Sequence, residues 1–424
     1  MFYRSWSGLP EDVDFPCDLR ALGYFVNDED EIRNIENPNT YFRYHIDILD
    51  RVNDRQRFAF NSAIEDIIHD RLKKEGLEKI RLPWDVEADK AHIPIFASSD
   101  IKTKSRVIII FGETSQMLGA LALRIVNGRG GIDKGSLVSI VRKIKDQHCS
   151  ADDENSPGII LANLGQTFWW PEGKKALELG RWLSTPAPSM VQTYRILRHD
   201  VNLILGNEDH GRHVKYIFDE VLNVLVSPAA KVDIIGIGDG ANAVVDFLDF
   251  GFSWAIFGPR LNSIVLLGGS HHVDMLRCDG FKRFLETRAR AYIVEGSVAV
   301  NMPLSTHLGN GDYPGHTAFG CPVYSSGEPH YVECILPRAG DHILKWIQEV
   351  ADKEDYINDP ELVVAEFNKE DPKSADESAD DGWVSVPEEE KPLVSFADAQ
   401  ALADEVRLLR MWDKFRKTGK FEPV

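Results

Sequence analysis

The sequence predicts an α/β protein: a mainly parallel central sheet with helices on both faces, then an acidic disordered linker and a C-terminal helix. Three observations predict this. Through about Val350, strand-like apolar runs alternate with segments of helical period. Several runs, such as RVIIIFGE (Arg106 to Glu113), are apolar at almost every position, as strands covered on both faces must be. From Asp352 onward the chain becomes acidic, polar and proline-interrupted, with too few apolar residues to offset the entropy of ordering. The expected organisation is a domain over 1–351, a linker over 352–394 and an amphipathic helix with a basic end over 395–424.

The elements follow in order. LGYFVND (Leu22 to Asp28) and TYFRYHI (Thr40 to Ile46) read as an antiparallel opening pair. RFAFNSAIEDIIHDRLKKEG reads as a helix with Ile64, Ile67, Ile68 and Leu72 on one face, closed by Gly76. RVIIIFGE and GIILANLG (Gly158 to Gly165) are buried strands, the second followed by an aromatic loop, QTFWWPEG. HVKYIFDEVLNVLV (His213 to Val226) is a helix that leads into the strand VDIIGIG. NSIVLLGG (Asn262 to Gly269) and RAYIVEG (Arg290 to Gly296) are further strands, and HYVECIL (His330 to Leu336) precedes the helix DHILKWIQEV. In the last segment, Ser395 and Asp398 form a capping signal, and Phe396, Ala399, Ala403, Val406, Leu409 and Phe415 fall at helical spacing.

Composition removes several classes of function. The formal charge is −19, but Asp352 to Lys391 hold 15 acidic and 4 basic residues, so most of the excess belongs to the linker. A large nucleic-acid surface would have to be a local patch on a body that is not basic. No apolar run approaches a membrane span, and MFYRSWSGLPEDVDF lacks the plan of a signal peptide, so no membrane partner and an intracellular location, nuclear or cytoplasmic, are expected. Cys17, Cys149, Cys278, Cys321 and Cys334 are scattered, which suggests neither a disulfide framework nor a zinc ribbon.

The richest stretch is KVDIIGIGDGANAVVDFL (Lys231 to Leu248), which has two readings. Gly236, Gly238 and Ala241 match the dinucleotide clamp G-x-G-x-x-G/A, yet the acid that should hold a ribose at the end of the next strand is missing there, and Asp274 arrives too late. Gly236 and Gly240 match the nucleophile elbow G-x-S-x-G of the α/β-hydrolases, with Gly238 where serine belongs. The chain order favours the elbow. Phe111-Gly112 ends an earlier strand where an oxyanion loop is needed, and His330 lies where the histidine loop is expected. The chemistry is absent: Gly238 has no hydroxyl, Asp239 is one step out of register, and after Gly296 come Ser297, Val298 and Ala299 rather than a carboxylate. Ser270 in GGSHHVD is the fallback nucleophile, although His272 sits where an elbow keeps a very small residue.

Other motifs read as structure first. GRGGIDKGS lacks the second glycine of a phosphate loop because Asp133 stands there; it reads as a tight turn, with Gly128, Arg129, Gly130, Gly131 and Lys134 as a candidate anion or partner loop. His210 with His213, and His271 and His272 with Asp274, have tolerable ligand types without a complete constellation, so no metal and no cofactor are expected. Trp169-Trp170 reads as a packed aromatic pair rather than a base-stacking platform.

RVIIIFGETSQMLGALALRIVNGRGGIDKGSLVSIV, SPGIILANLGQTFWWPEGKKAL, RARAYIVEG and FGCPVYSSGEPHYVE resemble the Arb-two (Argonaute-binding protein two) domain family. That family includes a subunit of the Argonaute siRNA chaperone complex and a domain appended to some class II histone deacetylases. The resemblance covers about Gly8 to Val350. It implies an α/β-hydrolase-like fold used for interaction with an Argonaute-type, chromatin or histone protein, with RNA met indirectly if at all. It also implies a serine at the elbow in some relatives, and this chain offers Gly238 in that place. No deacetylase domain fits in the chain, and a homodimer is compatible with the sequence. The competing expectations are a serine-type hydrolase with a displaced nucleophile and direct small-RNA binding.

Overall fold

The computed structural model describes residues 8–192, 195–309, 318–360 and 362–364. Its centre is a nine-stranded sheet. The strands are β3 (Leu77–Leu82), β4 (Ile93–Ser98), β5 (Arg106–Phe111), β6 (Gly158–Ala162), β9 (Lys231–Ile237), β10 (Leu261–Leu267), β11 (Ala289–Ile293), β12 (Pro303–Ser305) and β13 (Val323–Ser325). Two short pairs lie outside it, β1 (Tyr24–Val26) with β2 (Ile32–Asn34) and β7 (Phe168–Trp170) with β8 (Lys175–Leu177).

From one edge the order is β3, β4, β6, β5, β9, β10, β11, β13, β12. The run from β6 through β13 is parallel, whereas β4 is antiparallel to both its neighbours and β12 is antiparallel to β13. One antiparallel strand near the start, and a crossover that puts β6 outside β5, give the strand order of an α/β-hydrolase sheet.

Alternation along each strand divides the core into two layers. In β5, Ile108 and Ile110 join one cluster while Val107, Ile109 and Phe111 join the other. The first layer is covered by α1 (Asp50–Lys74), α2 (Leu137–Lys145) and the C-terminal α7 (Ile335–Asp352). The second is covered by α3 (His210–Tyr216) with its continuation to Leu225, by α4 (Asp239–Leu248), α5 (Gly251–Phe257) and α6 (Asp279–Arg288). The strands and helices expected from periodicity at 106–113, 158–165, 213–226, 231–237, 262–269 and 290–296 are present within a few residues.

Four expectations are corrected. The opening pair is Tyr24–Val26 with Ile32–Asn34; Thr40 to Ile46 form no strand, and Phe42 instead stacks on Phe60 with ring centroids 3.9 Å apart. QTFWWPEG is not a loop but half of a hairpin, with Trp169 opposite Ala176. HYVECIL is a 3-10 turn leading into the first turn of α7, and the strand that precedes it is VYS in FGCPVYSSGE. The domain continues past 351: Tyr356 is buried and its hydroxyl accepts from Trp346 Nε1 at 2.7 Å, while Asn358 Nδ2 donates to Ala289 O at 2.8 Å and Glu286 O at 3.0 Å. Residue 361, the linker from 365 onward and the segment 395–424 lie outside the described residues.

Arg106 and Asp233 sit inside this sheet, both essentially inaccessible to solvent. Arg106 Nε donates to Asp233 Oδ2 at 2.5 Å, Nη1 to His148 O at 2.8 Å and Nη2 to Ile347 O at 3.2 Å. Asp233 Oδ1 accepts from Asn262 Nδ2 at 2.9 Å and Ser263 Oγ at 2.6 Å. Removing the acid alone leaves a buried guanidinium without its counter-charge. Asp233→Ala is therefore expected to cost about 3–5 kcal/mol in urea unfolding, and Arg106→Met with Asp233→Leu to recover much of that loss.

Candidate functional site

The candidate site lies at the C-terminal ends of β5 and β9. These strands are parallel neighbours with Phe111 opposite Gly236, so the loop after β5 must face the turn after β9. Gly238 occupies that turn at φ 53°, ψ −118°, a conformation that side chains other than glycine's adopt only at a cost. Its N–H donates to Leu267 O on β10 at 2.7 Å. The flanking glycines are there for close approach: a Cβ on Gly236 would meet Ala241 Cα at 2.6 Å, and one on Gly240 would meet Phe111 O at 2.6 Å. Strand, sharp turn and helix together form a nucleophile elbow in backbone terms, as its glycine spacing predicts.

What occupies the elbow was not foreseen from sequence. A Cβ on Gly238 would run into the carboxylate of Glu113, which follows Gly112 in the loop after β5. Glu113 Oε2 accepts the N–H of Asp239 at 3.3 Å. In an elbow, the backbone N–H one residue past the nucleophile is an oxyanion-hole donor. Glu113 thus covers the nucleophile's space and one donor that would stabilise a tetrahedral intermediate. Beside it, Thr114 Oγ1 donates to Asp239 Oδ2 at 2.7 Å. Burial, opposed in part by the Asp239 N–H and reinforced by the Asp239 and Glu333 charges, holds the Glu113 carboxyl above the usual carboxylate range.

The other hydrolase positions are present as loops. Glu295 follows β11, and its Oε1 accepts from Ser297 N at 2.7 Å and Ser297 Oγ at 2.6 Å. Glu295 stands one residue before Gly296, ahead of the stretch Ser297 to Ala299 where the sequence shows no carboxylate. His330 lies exposed in the loop after β13; its N–H donates to Glu328 Oε1 at 3.2 Å and its ring meets Tyr331 edge-on. Ser270 is exposed at the end of β10, with its N–H on Asn242 Oδ1 at 2.8 Å, and among the described residues no base contacts its hydroxyl. Near the mouth, the Arg124 guanidinium lies 3.7 Å over the Tyr331 ring and 3.8 Å from Glu333.

The glycine loop at 128–134 is built differently from an open anion site. Gly130 N–H donates to Glu31 Oε1 at 3.3 Å and Asp133 N–H to Asp30 Oδ2 at 2.7 Å, so two of the chain's own carboxylates already sit on it. Arg71 bridges Asp30 and Asp133, Gly131 packs against the Asp30 carbonyl, and the Lys134 stem packs against Gly130. Gly128 abuts Arg124 O, and Arg129 contributes to the field at Tyr41. The anion expected there is internal.

The histidine sets disperse. His213 is buried, with Nδ1 2.6 Å from Asn207 Oδ1 and Nε2 accepting Asn163 N–H at 3.0 Å, and burial pushes its pKa down to about 3. His271 Nε2 donates to Phe319 O at 2.9 Å, and His272 Nδ1 accepts the Asp274 N–H at 3.2 Å. No group of three or more His, Cys, Asp or Glu suited to a metal occurs among the described residues.

Two measurements check the elbow. Gly238→Ala is expected to lower stability by about 1–3 kcal/mol through backbone strain, with a further loss from the Glu113 contact that Glu113→Ala relieves. Urea unfolding of the four proteins of that cycle should give a clear favourable coupling between the two substitutions. The raised Glu113 pKa sets the sign of a pH effect. The protonated form is favoured in the folded state, so this contribution is full below the unfolded pKa and is lost as pH rises through the folded one. Glu113→Gln should accordingly stabilise the protein more at pH 8 than at pH 4, read as the difference in urea midpoint.

Three solved structures align with the chain at low identity. The esterase LipW from Mycobacterium marinum aligns at 10% identity with a TM-score of 0.26, covering 54% of this chain and 55% of that one, so the chain spans about half of LipW. A thermostable esterase from Pseudomonas putida ECU1011 aligns at 10% identity and TM-score 0.27, covering 68% of this chain and 88% of that one. An arylesterase aligns at 12% identity and TM-score 0.29, covering 69% and 93%. No curated protein matches the chain. The model of the Arb2 domain matches residues 15–297, two thirds of the sequence. On that match, the chain belongs to the Arb2 domain family.

Proposed function

We propose that this protein is a non-catalytic interaction scaffold on an α/β-hydrolase-like fold. Its role is in Argonaute and siRNA handling and in heterochromatin formation or chromatin association. One observation carries the first half of this reading: the elbow has no side chain at Gly238, and the Glu113 carboxylate stands where a nucleophile and its oxyanion would be. An acyl group cannot enter that turn without displacing Glu113, and no hydroxyl awaits it there. Membership of the Arb2 family supports the second half. The partner is an Argonaute-type, chromatin or histone protein in the nucleus or cytoplasm, and RNA is reached through that partner. No helix among the described residues is long and apolar enough to cross a membrane.

Two experiments test the two halves. A fluorophosphonate probe should leave the folded full-length chain unlabelled. Stoichiometric labelling abolished by Ser270→Ala would overturn the non-catalytic reading. Affinity purification of the tagged chain from its native cell should recover an Argonaute or histone protein, and consistent recovery of neither would remove the proposed partners.

A further inference from the structure

Away from the elbow, a crevice of about 90 Å³ lies between α1, the edge strand β3 and the β7–β8 hairpin, several times the space one water needs. Glu65, His69, His92 and Pro94 line it together with Lys79, Lys174 and Lys175. Three lysines therefore share one crevice. Among the described residues none of the three has an ion pair within 4 Å; Lys79 Nζ instead lies 3.2 Å from His69 Nδ1.

The acids nearby do not neutralise them. Both Glu65 oxygens are engaged, Oε1 by Gln166 Nε2 at 2.6 Å and Oε2 by Arg181 Nη1 and Nη2 at 3.0 Å. Asp66 remains, exposed at the rim. His69 adds no charge of its own: its Nε2 donates to Leu118 O at 3.1 Å, leaving Nδ1 as an acceptor for Lys79, and burial lowers its pKa to about 4. Burial lowers the Lys79 pKa, opposed by the Glu65 and Asp66 charges, and with Asp66 as the acid at the rim the three lysines leave an excess of positive charge.

The backbone supplies a second, independent sign. Lys174 lies at φ 50° in the hairpin turn, a left-handed conformation where glycine or asparagine is usual. Gly173, one residue earlier, cannot be exchanged for a side chain because its Cβ would enter the Trp170 ring. The turn thus holds a lysine in a strained position and brings it to the crevice, a cost of the kind that persists at binding sites.

We propose that this crevice binds a phosphate group, as free phosphate or as a small-molecule phosphate monoester, held by Lys79, Lys174 and Lys175. Lysine ammonium groups suit this ligand as mobile point charges, and three of them match a dianion with Asp66 as the opposing charge. The site is separate from the elbow and does not depend on how that turn is used.

Calorimetric titration of the full-length chain with inorganic phosphate tests it. The wild type is expected to bind, and Lys79→Met and Lys174→Gln each to weaken binding at least about tenfold. Lys102→Gln, at an exposed lysine elsewhere, should leave affinity unchanged. Lys174→Gly relieves the left-handed backbone and so keeps the fold, yet it should lose affinity as Lys174→Gln does. A parallel titration with glycerol 2-phosphate distinguishes the sources: tighter binding than inorganic phosphate assigns a monoester, and equal or weaker binding assigns free phosphate. No binding up to about 10 mM of either probe, or equal weakening by Lys102→Gln and the crevice variants, overturns the proposal.

Discussion

The buried pair Arg106–Asp233 is the interaction around which the rest is arranged. Arg106 opens β5, Asp233 lies in β9, and their hydrogen bonds extend to β10 through Asn262 and Ser263, to α7 through Ile347 and to the loop after α2 through His148. A pair so desolvated adds little net stability over apolar residues of similar shape. In our reading its effect is to specify register, because a one-residue slip of β5 against β9 would strand two charges in the core. That register brings Phe111 opposite Gly236, and through it Glu113 against Gly238.

The elbow therefore persists for reasons of packing. Gly236 and Gly240 let α4 approach β9 and β5, and Gly238 takes a backbone conformation other residues avoid. None of these requirements involves a reaction, so packing alone accounts for the geometry of the turn. Glu113 then has a structural role: from the loop after β5 it accepts the first N–H of α4, as a capping residue would. The same solution recurs at the glycine loop, where Asp30 and Glu31 occupy N–H groups that an external anion would otherwise use. In both places a motif suggestive of ligand binding is satisfied from within the chain.

Much of the fold was legible in the sequence because buried parallel strands such as Arg106–Phe111 and Leu261–Leu267 are nearly all apolar, and because Gly236, Gly238 and Gly240 mark a turn with one geometry. The missed elements are those whose residues carry no such signature. VYS is three residues long and owes its strand to pairing with β11 and β12, and β7 was obscured by the Trp169-Trp170 run beside a proline. The opening pair was misassigned because the aromatic residues of Thr40 to Ile46 pack as side chains without joining a ladder. Glu113 was visible as the last residue of RVIIIFGE, but its role depends on a contact 125 residues away in sequence, which only the register of β5 and β9 defines. The lysines of the crevice are likewise dispersed over two hairpins and had no common motif.

In the proposed function, Glu113 closes the elbow by taking the place of both nucleophile and oxyanion. The most direct test of this closure is an NMR titration that follows the Glu113 side-chain carboxyl carbon and the Asp239 amide together. A closed elbow gives a carboxyl midpoint above the ordinary glutamate range, with the Asp239 amide shifting at the same midpoint because the two are hydrogen-bonded. An ordinary midpoint with an unresponsive Asp239 amide would mean that Glu113 points to solvent and that the elbow is open.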